Sequence, residues 1–456
     1  MKQGYDFHPS ILRAYDIRGI LGETLSDEDA YYIGRSYGSF IADGSSRRVC
    51  VGFDGRLSSP ALEEKLVRGL QECGVDVIRV GLGPTPMLYF AVNFLKADGG
   101  IMITGSHNPP THNGFKMMKS KLPLFGEEIL RLGKIAAEGE FVNGAGSVDF
   151  EDIRDEYIKH LADTFANNKE LSVAWDPGNG AAGQITRDLS KNIGGTHYLI
   201  NDKIDGTFPA HHPDPSDAKN MQQLIALVKQ ENCDLGIAFD GDGDRIGVID
   251  NNGNMVNGDQ LMAIFATDAL KEHNGGTVIA DVKASQMLFD VVEQNGGNGI
   301  MWKTGHSHIK TKMAEENAVF AGEVSGHIFF RDNFGFDDGP YAAVKLLNIV
   351  ASSDKTLSDI IDQLPKAYST AEIRVHVLEE NKFKIVENIK NKAHDLGANI
   401  NDIDGVRALM AEGWFLVRAS NTEAALVMRC EASNEADLAI LQDRVFGLLK
   451  DEGVKV

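Results

Sequence analysis

Two short stretches contain residues whose types and spacing suit phosphoryl transfer. Residues 104–109 (Thr-Gly-Ser-His-Asn-Pro), the serine loop, hold one hydroxyl, Ser106, in a segment that glycine and proline shape. Residues 240–245 (Asp-Gly-Asp-Gly-Asp-Arg), the aspartate loop, crowd three carboxylates into five residues and end in an arginine. A nucleophilic oxygen and a cage for a hard cation are the parts that phosphoryl transfer most requires. The two loops therefore indicate a reaction class before any fold is assumed.

The three acidic residues of the aspartate loop, Asp240, Asp242 and Asp244, form the aspartate cluster. The glycines between them let the backbone fold tightly enough to aim all three side chains at one point. Such charges repel one another unless a cation lies among them. A calcium EF-hand does not fit, because Arg245 stands where that loop needs glycine and Asn251 where it needs glutamate. Oxygen ligands at a strand end favour one Mg²⁺ per chain, and the alternative is a solvated acidic turn.

Ser106 gains its interest from its neighbours. A serine after a glycine is by itself usually a turn residue, and the absence of a G-x-S-x-G elbow disfavours a lipase-like hydrolase. Here His107 and Asn108 follow, two prolines stiffen the loop, and Lys116 lies ten residues on. A phosphorylated Ser106 would offer one more oxygen to the metal. We therefore expect Ser106 to be both a catalytic residue and a metal ligand.

The elements that position these loops follow a pattern that recurs three times. An apolar, β-branched run ends in Asp54, in Asp176 and in Asp281, and a helix-like stretch and a second apolar strand follow each run. A third strand then leads into a reactive loop: the serine loop, the aspartate loop, and residues 322–327 (Gly-Glu-Val-Ser-Gly-His), the glutamate loop. Strands alternating with helices predict α/β layers, with ligands at the carboxyl ends of the strands.

The last part of the chain has a different pattern. Helical periodicity covers residues 381–396 and 434–450, and short strands with tight turns lie between them. We expect an α/β fold of three tandem similar domains with mixed sheets, plus a smaller C-terminal α+β domain, around a central cleft. The predicted domains are residues 1–145 with the serine loop, 146–252 with the aspartate loop, 253–365 with the glutamate loop, and 366–456.

Two helix starts can be predicted from capping residues. Ser26 with Asp29 matches a capping box at the head of an early helix. Ser59 followed by Pro60 matches an N-cap and a first helical position, and Gly74 marks the end of that helix. Residues 207–216, with three prolines and two histidines, carry neither a helix nor a strand signal and predict a surface loop.

The charge of the chain limits its partners. Lys and Arg number 45 against 66 Asp and Glu, so the net charge is −21. This balance argues against nucleic acid and against an anionic membrane as a partner. An anionic substrate would need a local cationic cluster, because the field of the whole molecule repels it.

Cysteine spacing and hydropathy indicate the compartment of the chain. The four cysteines are far apart and form no CxxC pair, which disfavours a zinc site or disulfide framework and fits a reducing compartment. Residues 1–10 lack an apolar signal core, and no run reaches the ~18 apolar residues of a membrane span. We expect a cytoplasmic protein that is a monomer or a weak homodimer.

The serine and aspartate loops, in this order, resemble the α-D-phosphohexomutase family, most closely its bacterial phosphomannomutase/phosphoglucomutase group. The resemblance covers nearly the whole chain, from residues 14–19 (Ala-Tyr-Asp-Ile-Arg-Gly) to the C-terminal domain. It implies that Ser106 carries the phosphoryl group and that the aspartate cluster holds magnesium. Glu323 and Ser325 of the glutamate loop would then contact vicinal sugar hydroxyls, which their acceptors and hydroxyl suit.

Residues 418–423 (Arg-Ala-Ser-Asn-Thr-Glu), the arginine loop, combine a guanidinium, two hydroxyls and an amide, which make a good phosphate cradle. By resemblance this loop grips the phosphate that is not being transferred. Further positions match active-site residues of the family. The implied substrate-binding residues are Tyr15, Lys283, Glu323, Ser325, Arg418, Ser420, Asn421 and Thr422, and the implied catalytic residues are Ser106, Lys116, Arg18, His306, His327 and Arg245.

The resemblance implies a mutase that interconverts hexose 6-phosphates and hexose 1-phosphates of mannose or glucose. Phosphorylated Ser106 and a hexose 1,6-bisphosphate, as intermediate and activator, would carry the cycle. Movement of the last domain would let the intermediate turn without escaping. His327, Lys116 and His306 are open candidates for the general base. The alternatives are a phosphoglucosamine mutase, a serine-nucleophile metallophosphatase, and a phosphosugar-binding protein without turnover.

Overall fold

The computed structural model describes residues 4–42, 47–167, 169–420 and 424–455, and the chain forms two compact units. The first unit consists of Met1–Gly258 and Ser325–Ile361. The second consists of Asp259–Val324 and Asp362–Val456. The glutamate loop is therefore shared, since Glu323 lies in the second unit and Ser325 in the first. The division into four domains stays a prediction.

Strands occur along the whole described chain and in both units. In chain order they are β1 (Ile17–Ile20), β2 (Arg48–Phe53), β3 (Asp76–Leu82), β4 (Gly99–Ile103), β5 (His112–Lys119), β6 (Leu122–Leu124), β7 (Val148–Phe150), β8 (Ser172–Asp176), β9 (Thr196–Leu199), β10 (Leu235–Phe239), β11 (Ile246–Asp250), β12 (Gly276–Asp281), β13 (Gly297–Trp302), β14 (Phe320–Gly322), β15 (Ile328–Phe330), β16 (Tyr368–Ser369), β17 (Ile373–His376), β18 (Asn399–Asn401), β19 (Val406–Leu409), β20 (Gly413–Ala419) and β21 (Ala425–Ala432).

Helices alternate with these strands up to the last part of the chain. In chain order they are α1 (Asp27–Phe40), α2 (Ser59–Gln71), α3 (Thr85–Phe94), α4 (Glu127–Glu138), α5 (Arg154–Thr164), α6 (Gly183–Asn192), α7 (Gln222–Glu231), α8 (Gly258–Glu272), α9 (Gln286–Gln294), α10 (His306–Glu316), α11 (Gly339–Ala351), α12 (Leu357–Ile361), α13 (Lys382–Asp395) and α14 (Glu435–Asp451).

The first sheet of the first unit positions the serine loop. Its strand order is β1-β5-β4-β2-β3-β7, with β6 beside β5. The strand β4 is buried along its whole length, runs parallel to β2 and is antiparallel to β5. Central strands covered on both faces read as continuous apolar runs, as β4 and the Val-Cys-Val run of β2 do. The serine loop joins β4 to β5, so Ser106 lies at the carboxyl end of a buried strand.

The second sheet of the first unit positions the aspartate loop. Its order is β11-β10-β8-β9, in which β10 is parallel to β8 and antiparallel to β11. Both β10 and β11 are fully buried. The aspartate loop connects these two strands, and burial of its flanks explains how a sequence so rich in carboxylates is held in one conformation.

The second unit contains two further sheets. Parallel strands lie in the order β13-β12-β14, and an antiparallel sheet has the order β16-β21-β20-β19-β18, with β17 also paired to β21. Helices α13 and α14 pack on the antiparallel sheet through a core that includes Ile389, Phe415 and Leu441. The predicted α/β fold with mixed sheets and a smaller C-terminal α+β part is therefore confirmed.

The two predicted helix starts have different outcomes. The capping box at α1 is present, because Ser26 Oγ accepts from the Asp29 N–H and Asp29 accepts from the Ser26 N–H. The N-cap prediction at α2 is wrong by one residue: Ser58 is the N-cap, and Ser59 is the first helical residue. The hydroxyl of Ser59 donates instead to Asp54 Oδ1 at 2.6 Å. An acceptor that precedes the helix has thus taken the hydroxyl that was expected to cap it.

Within the described part of the chain, no helix has both the length and the apolar character that a transmembrane segment requires.

Candidate active site

Ser106 has an unusual backbone conformation. Its φ is +48°, in the left-handed region that residues other than glycine rarely adopt. The Ser106 N–H donates to Thr104 Oγ1 at 2.8 Å, and its carbonyl accepts from Arg56 at 2.7 Å. The residue is only 2% exposed. Both backbone groups are thus fixed by side chains, which holds the position of the backbone that carries the hydroxyl.

The Ser106 hydroxyl points to the aspartate loop. Ser106 Oγ donates to Asp240 Oδ2 at 2.9 Å, and His107 Nδ1 lies 3.2 Å from the same hydroxyl. The two loops approach so closely that a Cβ at Gly241 would lie 2.3 Å from the Ser106 carbonyl oxygen. Glycine is therefore required at position 241. The structure brings together the serine and the carboxylates that the sequence analysis selected.

The aspartate cluster is enclosed by protein. All three side chains are buried with no exposed surface, and ligand atoms from the three lie within 4.8 Å of one another. Lys116, on β5, donates from Nζ to Asp242 Oδ2 at 2.7 Å and also to Asp244 Oδ2. One ammonium therefore partly offsets three carboxylates.

The protonation equilibria reflect this imbalance. Burial, together with Asp242 and Asp244, raises the pKa of Asp240 well above its ordinary value. Burial also acts to raise the pKa of Asp242, but Lys116 outweighs it and the pKa is lowered. Burial acts to lower the pKa of Lys116, yet Asp242 and Asp244 raise it well above the usual range. Lys116 is therefore an ammonium at neutral pH, and the raised pKa of Asp240 reflects carboxylate repulsion that this one ammonium does not offset.

The donor set fits a hard divalent cation. Asp242 Oδ1 and Asp244 Oδ1 are buried and have no hydrogen-bond partner, an arrangement that costs free energy unless a cation satisfies them. Three carboxylates and one ammonium carry a net charge of about −2 when ionised. Closely spaced carboxylate oxygens without sulfur or nitrogen ligands suit Mg²⁺. The aspartate cluster and the adjacent Ser106 oxygen are therefore the residues that would hold the metal.

Arg245 is held by a histidine of the glutamate loop. Its Nε donates to His327 Nε2 at 2.9 Å, and His327 Nδ1 lies 2.9 Å from Asp337 Oδ2. Because an arginine Nε–H can only donate, His327 Nε2 is the acceptor of this hydrogen bond. The lone pair that would make His327 a base is thus engaged with Arg245 here.

Arg18 connects the start of the chain to the serine loop. Its guanidinium donates to Asn108 Oδ1 and, at 2.5 Å, to Asp16 Oδ2. Tyr15 precedes this pair and is half-buried. Arg18, Lys116 and Arg245 all belong to the first unit. Their contacts place three cationic groups at the serine and aspartate loops.

In the second unit, Lys283 lies among carboxylates. Its Nζ is 3.3 Å from Glu372 Oε2 and 3.6 Å from Asp281 Oδ2. Burial raises the pKa of Asp281 to about 7, although Lys283 opposes that shift. Glu323, also buried, accepts from the Gly305 N–H at 2.7 Å. Its carboxylate therefore fixes the turn that precedes His306, the first residue of α10.

The arginine loop begins with a fixed guanidinium. Arg418 donates to both oxygens of Asp404, at 3.0 and 3.3 Å, and Asp404 also accepts from the Thr304 N–H at 3.0 Å. The Ser420 carbonyl accepts from Lys382 Nζ at 2.8 Å. The predicted residues Asn421 and Thr422 lie outside the described residues.

Several residues that support these loops were missed by the sequence analysis. Their common property is that each forms a hydrogen bond or an ion pair with a residue of one of the site loops. Asp54 was visible as the end of a strand, and that position was the only signal for Arg56, two residues later. No sequence signal pointed to the others, Thr85, Asp337 and Asp404.

Family models match the chain in four segments. They are phosphoglucomutase/phosphomannomutase alpha/beta/alpha domain I over residues 9–142, domain II over 155–253, domain III over 257–368, and the C-terminal domain over 372–448.

Individual relatives match over nearly their whole length. A phosphomannomutase/phosphoglucomutase of Pseudomonas aeruginosa is 45% identical over 94% of this chain and 93% of its own. A phosphoglucomutase of Neisseria gonorrhoeae is 43% identical over 95% of each chain. A crystal structure of a phosphoglucomutase/phosphomannomutase family protein from Burkholderia thailandensis has a TM-score of 0.92, at 39% identity over 98% of both chains.

Proposed function

Because the chain belongs to the phosphoglucomutase/phosphomannomutase family and is a mutase that interconverts hexose 6-phosphates and hexose 1-phosphates, we propose that Ser106 carries the transferred phosphoryl group. The observation that supports this is the 2.9 Å hydrogen bond from Ser106 Oγ to Asp240. It places the Ser106 hydroxyl at the aspartate cluster, in which two buried carboxylate oxygens lack hydrogen-bond partners.

The proposed exchange moves one phosphoryl group at a time. The bond from phosphorus to Ser106 Oγ breaks, a bond from phosphorus to a sugar oxygen forms, and the proton of that sugar hydroxyl passes to a base. The hexose 1,6-bisphosphate so formed turns, and the bond from its other phosphorus to the sugar oxygen breaks as a bond to Ser106 Oγ forms. The serine proton passes to a base, and the freed sugar oxygen takes up a proton. When bound at the aspartate cluster, Mg²⁺ would offset the charge of the phosphoryl group.

Cationic side chains of the first unit would stabilise the phosphoryl oxygens. Lys116 stays charged because of its two aspartate partners, and Arg245 and Arg18 are oriented by His327 and Asn108. Preorganised donors of this kind stabilise developing charge without reorganising during the reaction. Proton removal by His327 would require its Nε2 to leave Arg245, and removal by Lys116 would require loss of its charge, so His306 also remains a candidate.

Residues of the second unit would bind the rest of the substrate. We assign Lys283, Glu323 and, from the first unit, Ser325 to the sugar hydroxyls, with Tyr15 as a further contact. The arginine loop, with Arg418, Ser420, Asn421 and Thr422, would hold the phosphate that is not transferred. The Asp404 carboxylate supports this role, because it presents the Arg418 guanidinium in a fixed plane.

Mass spectrometry tests the assignment of Ser106. Incubation with glucose 1,6-bisphosphate should add one phosphoryl group to the intact protein, and peptide mapping should place it on Ser106. The Ser106→Ala variant should take up none and should lose mutase activity. Phosphate on another residue, or an active Ser106→Ala variant, would contradict the proposal.

Compartment and assembly are also proposals. The cysteines Cys50, Cys73, Cys233 and Cys430 are all buried and free of disulfides, which supports a reducing compartment such as the cytoplasm. We propose a monomer or a weak homodimer, which light scattering over a range of protein concentrations tests.

A further inference from the structure

We propose that Arg56 is a positioning residue that sets the orientation of the Ser106 hydroxyl by holding the backbone of the serine loop. The inference rests on the proposed function, because it assigns Arg56 a role in phosphoryl transfer to and from Ser106. The guanidinium does not face a phosphate or a sugar. It acts through the carbonyl groups of the loop.

The guanidinium donates to the carbonyl oxygens of Ser106 and of three residues that follow it. One terminal nitrogen of Arg56 donates to Ser106 at 2.7 Å and to Asn108 at 2.6 Å. The other donates to Pro109 at 2.6 Å and to His112 at 3.0 Å. Four carbonyl groups of one loop thus converge on a single side chain that is 1% exposed.

Asp54 offsets the buried charge and extends the same network. Its Oδ2 accepts from Arg56 Nε at 3.1 Å and from the Gly105 N–H at 3.2 Å. Its Oδ1 accepts from the Arg56 N–H at 3.0 Å and from Ser59 Oγ at 2.6 Å. Arg56 and Asp54 therefore bind four carbonyls and one N–H of the segment around Ser106, and Asp54 also accepts from Ser59 in the first turn of α2.

The loop conformation explains why the hydrogen bonds from Arg56 and Asp54 are needed. A left-handed serine costs about 1–2 kcal/mol relative to ordinary backbone, and it turns the Ser106 carbonyl inward, where it needs a donor. The guanidinium also occupies space beside Gly105, where a Cβ would lie 2.6 Å from Arg56 Cζ. Without the hydrogen bonds from Arg56, the serine loop would relax toward ordinary backbone angles, and the Ser106 hydroxyl would lose its contact with Asp240.

A planar fork with five donors suits four converging carbonyls, whereas an ammonium has three donors around one atom. Arg56→Lys therefore keeps the charge beside Asp54 but cannot satisfy all the carbonyls. A matched control is Arg35→Lys. Arg35 is also a buried arginine of the first unit, and it likewise donates to a carboxylate and a carbonyl, those of Glu72 and Val142.

The experiment starts from dephosphorylated full-length enzyme mixed with glucose 1,6-bisphosphate. Intact mass over time gives the rate of Ser106 phosphorylation, and steady-state assays give kcat and KM for glucose 1-phosphate. We expect Arg56→Lys to be slower by about 10- to 100-fold in phosphorylation and in kcat, the range that misplacement by about 1 Å produces. Its KM should stay within about threefold of wild type, because the substrate-binding residues are unchanged. Arg35→Lys should phosphorylate at the wild-type rate.

The outcomes separate this inference from the proposed function. If wild type acquires no phosphate on Ser106, the proposed function fails. If wild type does, and a folded Arg56→Lys is equally fast, or slowed no more than Arg35→Lys, the positioning role is overturned. If Arg56→Lys does not fold, Ser59→Ala replaces it, since it removes the hydroxyl that donates to Asp54 and accepts from Asn113 but leaves Arg56 and Asp54 in place. A phosphorylation rate lowered about threefold or more in Ser59→Ala, at unchanged KM, supports the role, and an unchanged rate overturns it.

Discussion

Thr85 donates from its hydroxyl to Asp242 Oδ2 at 2.5 Å, and its N–H donates to the Asp242 carbonyl at 2.8 Å. Thr85 is the first residue of α3, in the part of the chain that precedes the serine loop, whereas Asp242 follows it by more than a hundred residues. Thr85 thus holds both the side chain and the backbone carbonyl of Asp242.

We expect Thr85→Val to weaken metal activation. The substitution keeps the shape but removes the hydroxyl, so Asp242 is held less firmly. Loss of a partner of this kind typically lowers metal affinity about 10- to 100-fold. The check is the Mg²⁺ concentration that gives half-maximal mutase activity, with Thr85→Ser, which keeps the hydroxyl, as the control. An unchanged Mg²⁺ midpoint in Thr85→Val would show that Asp242 does not depend on this bond.

Replacing Lys116 by methionine should lower kcat by about 100-fold or more, the scale seen for loss of a single charge-stabilising donor. The ammonium lies between Asp242 and Asp244, and without it their repulsion and the loss of a phosphoryl-stabilising charge act together. Lys119→Met, on the same strand but in contact with Phe40, is the control and should keep its activity. Equal kcat values for the two variants would remove Lys116 from the mechanism.

Asp404→Asn should raise KM more than it lowers kcat. The carboxylate holds Arg418 through two hydrogen bonds, and an amide can accept only part of them. Loss of orientation at a phosphate-binding arginine should raise KM for glucose 1-phosphate about tenfold, the effect of roughly 1.4 kcal/mol. Glu412→Gln is the control, because Glu412 pairs in the same way with Arg444. A kcat effect without a KM effect would place Asp404 outside substrate binding.

Asp338 should make the stability of the first unit fall as pH rises from about 4 to about 6. Burial raises its pKa to about 6, above the ordinary 3.8, so in this window the folded state keeps a proton that the unfolded state releases. Below the window neither state loses the proton, and above it the cost is constant. The difference corresponds to about 3 kcal/mol.

Thermal unfolding of wild type and Asp338→Asn across this pH range measures the effect. The variant cannot ionise, and asparagine is an equally good N-cap for α11. The Tm of wild type should fall relative to the variant as pH rises from 4 to 6. Parallel Tm curves would show that Asp338 titrates near its ordinary pKa in the folded protein.

The residues most open to prediction were those whose chemistry is local in sequence. Ser106 and the aspartate cluster stand in short motifs whose spacing alone suggests a hydroxyl and a cation site. Strand ends such as Asp54 were also predictable, because an apolar run that stops at a polar residue marks the edge of a sheet. The fold class followed from the alternation of these runs with helical periodicity.

Contacts between distant segments were not predictable. Arg56 binds carbonyls about fifty residues away, and a carbonyl has no sequence signature. Thr85 and Asp404 have ordinary neighbours, and only the folded chain shows what they contact. The misplaced cap at Ser59 has a different cause, since a buried acceptor near in sequence, Asp54, competes for the hydroxyl that a cap would direct to a local N–H.

The missing side chain at Gly241 has a further consequence. Because Gly241 has no Cβ, its backbone lies directly against the Ser106 carbonyl, and the serine loop and the aspartate loop pack tightly against each other. This packing exists before any sugar phosphate binds. Encounter with the substrate therefore does not have to assemble the reaction centre, and its binding free energy can be directed to closure and to turning the bisphosphate.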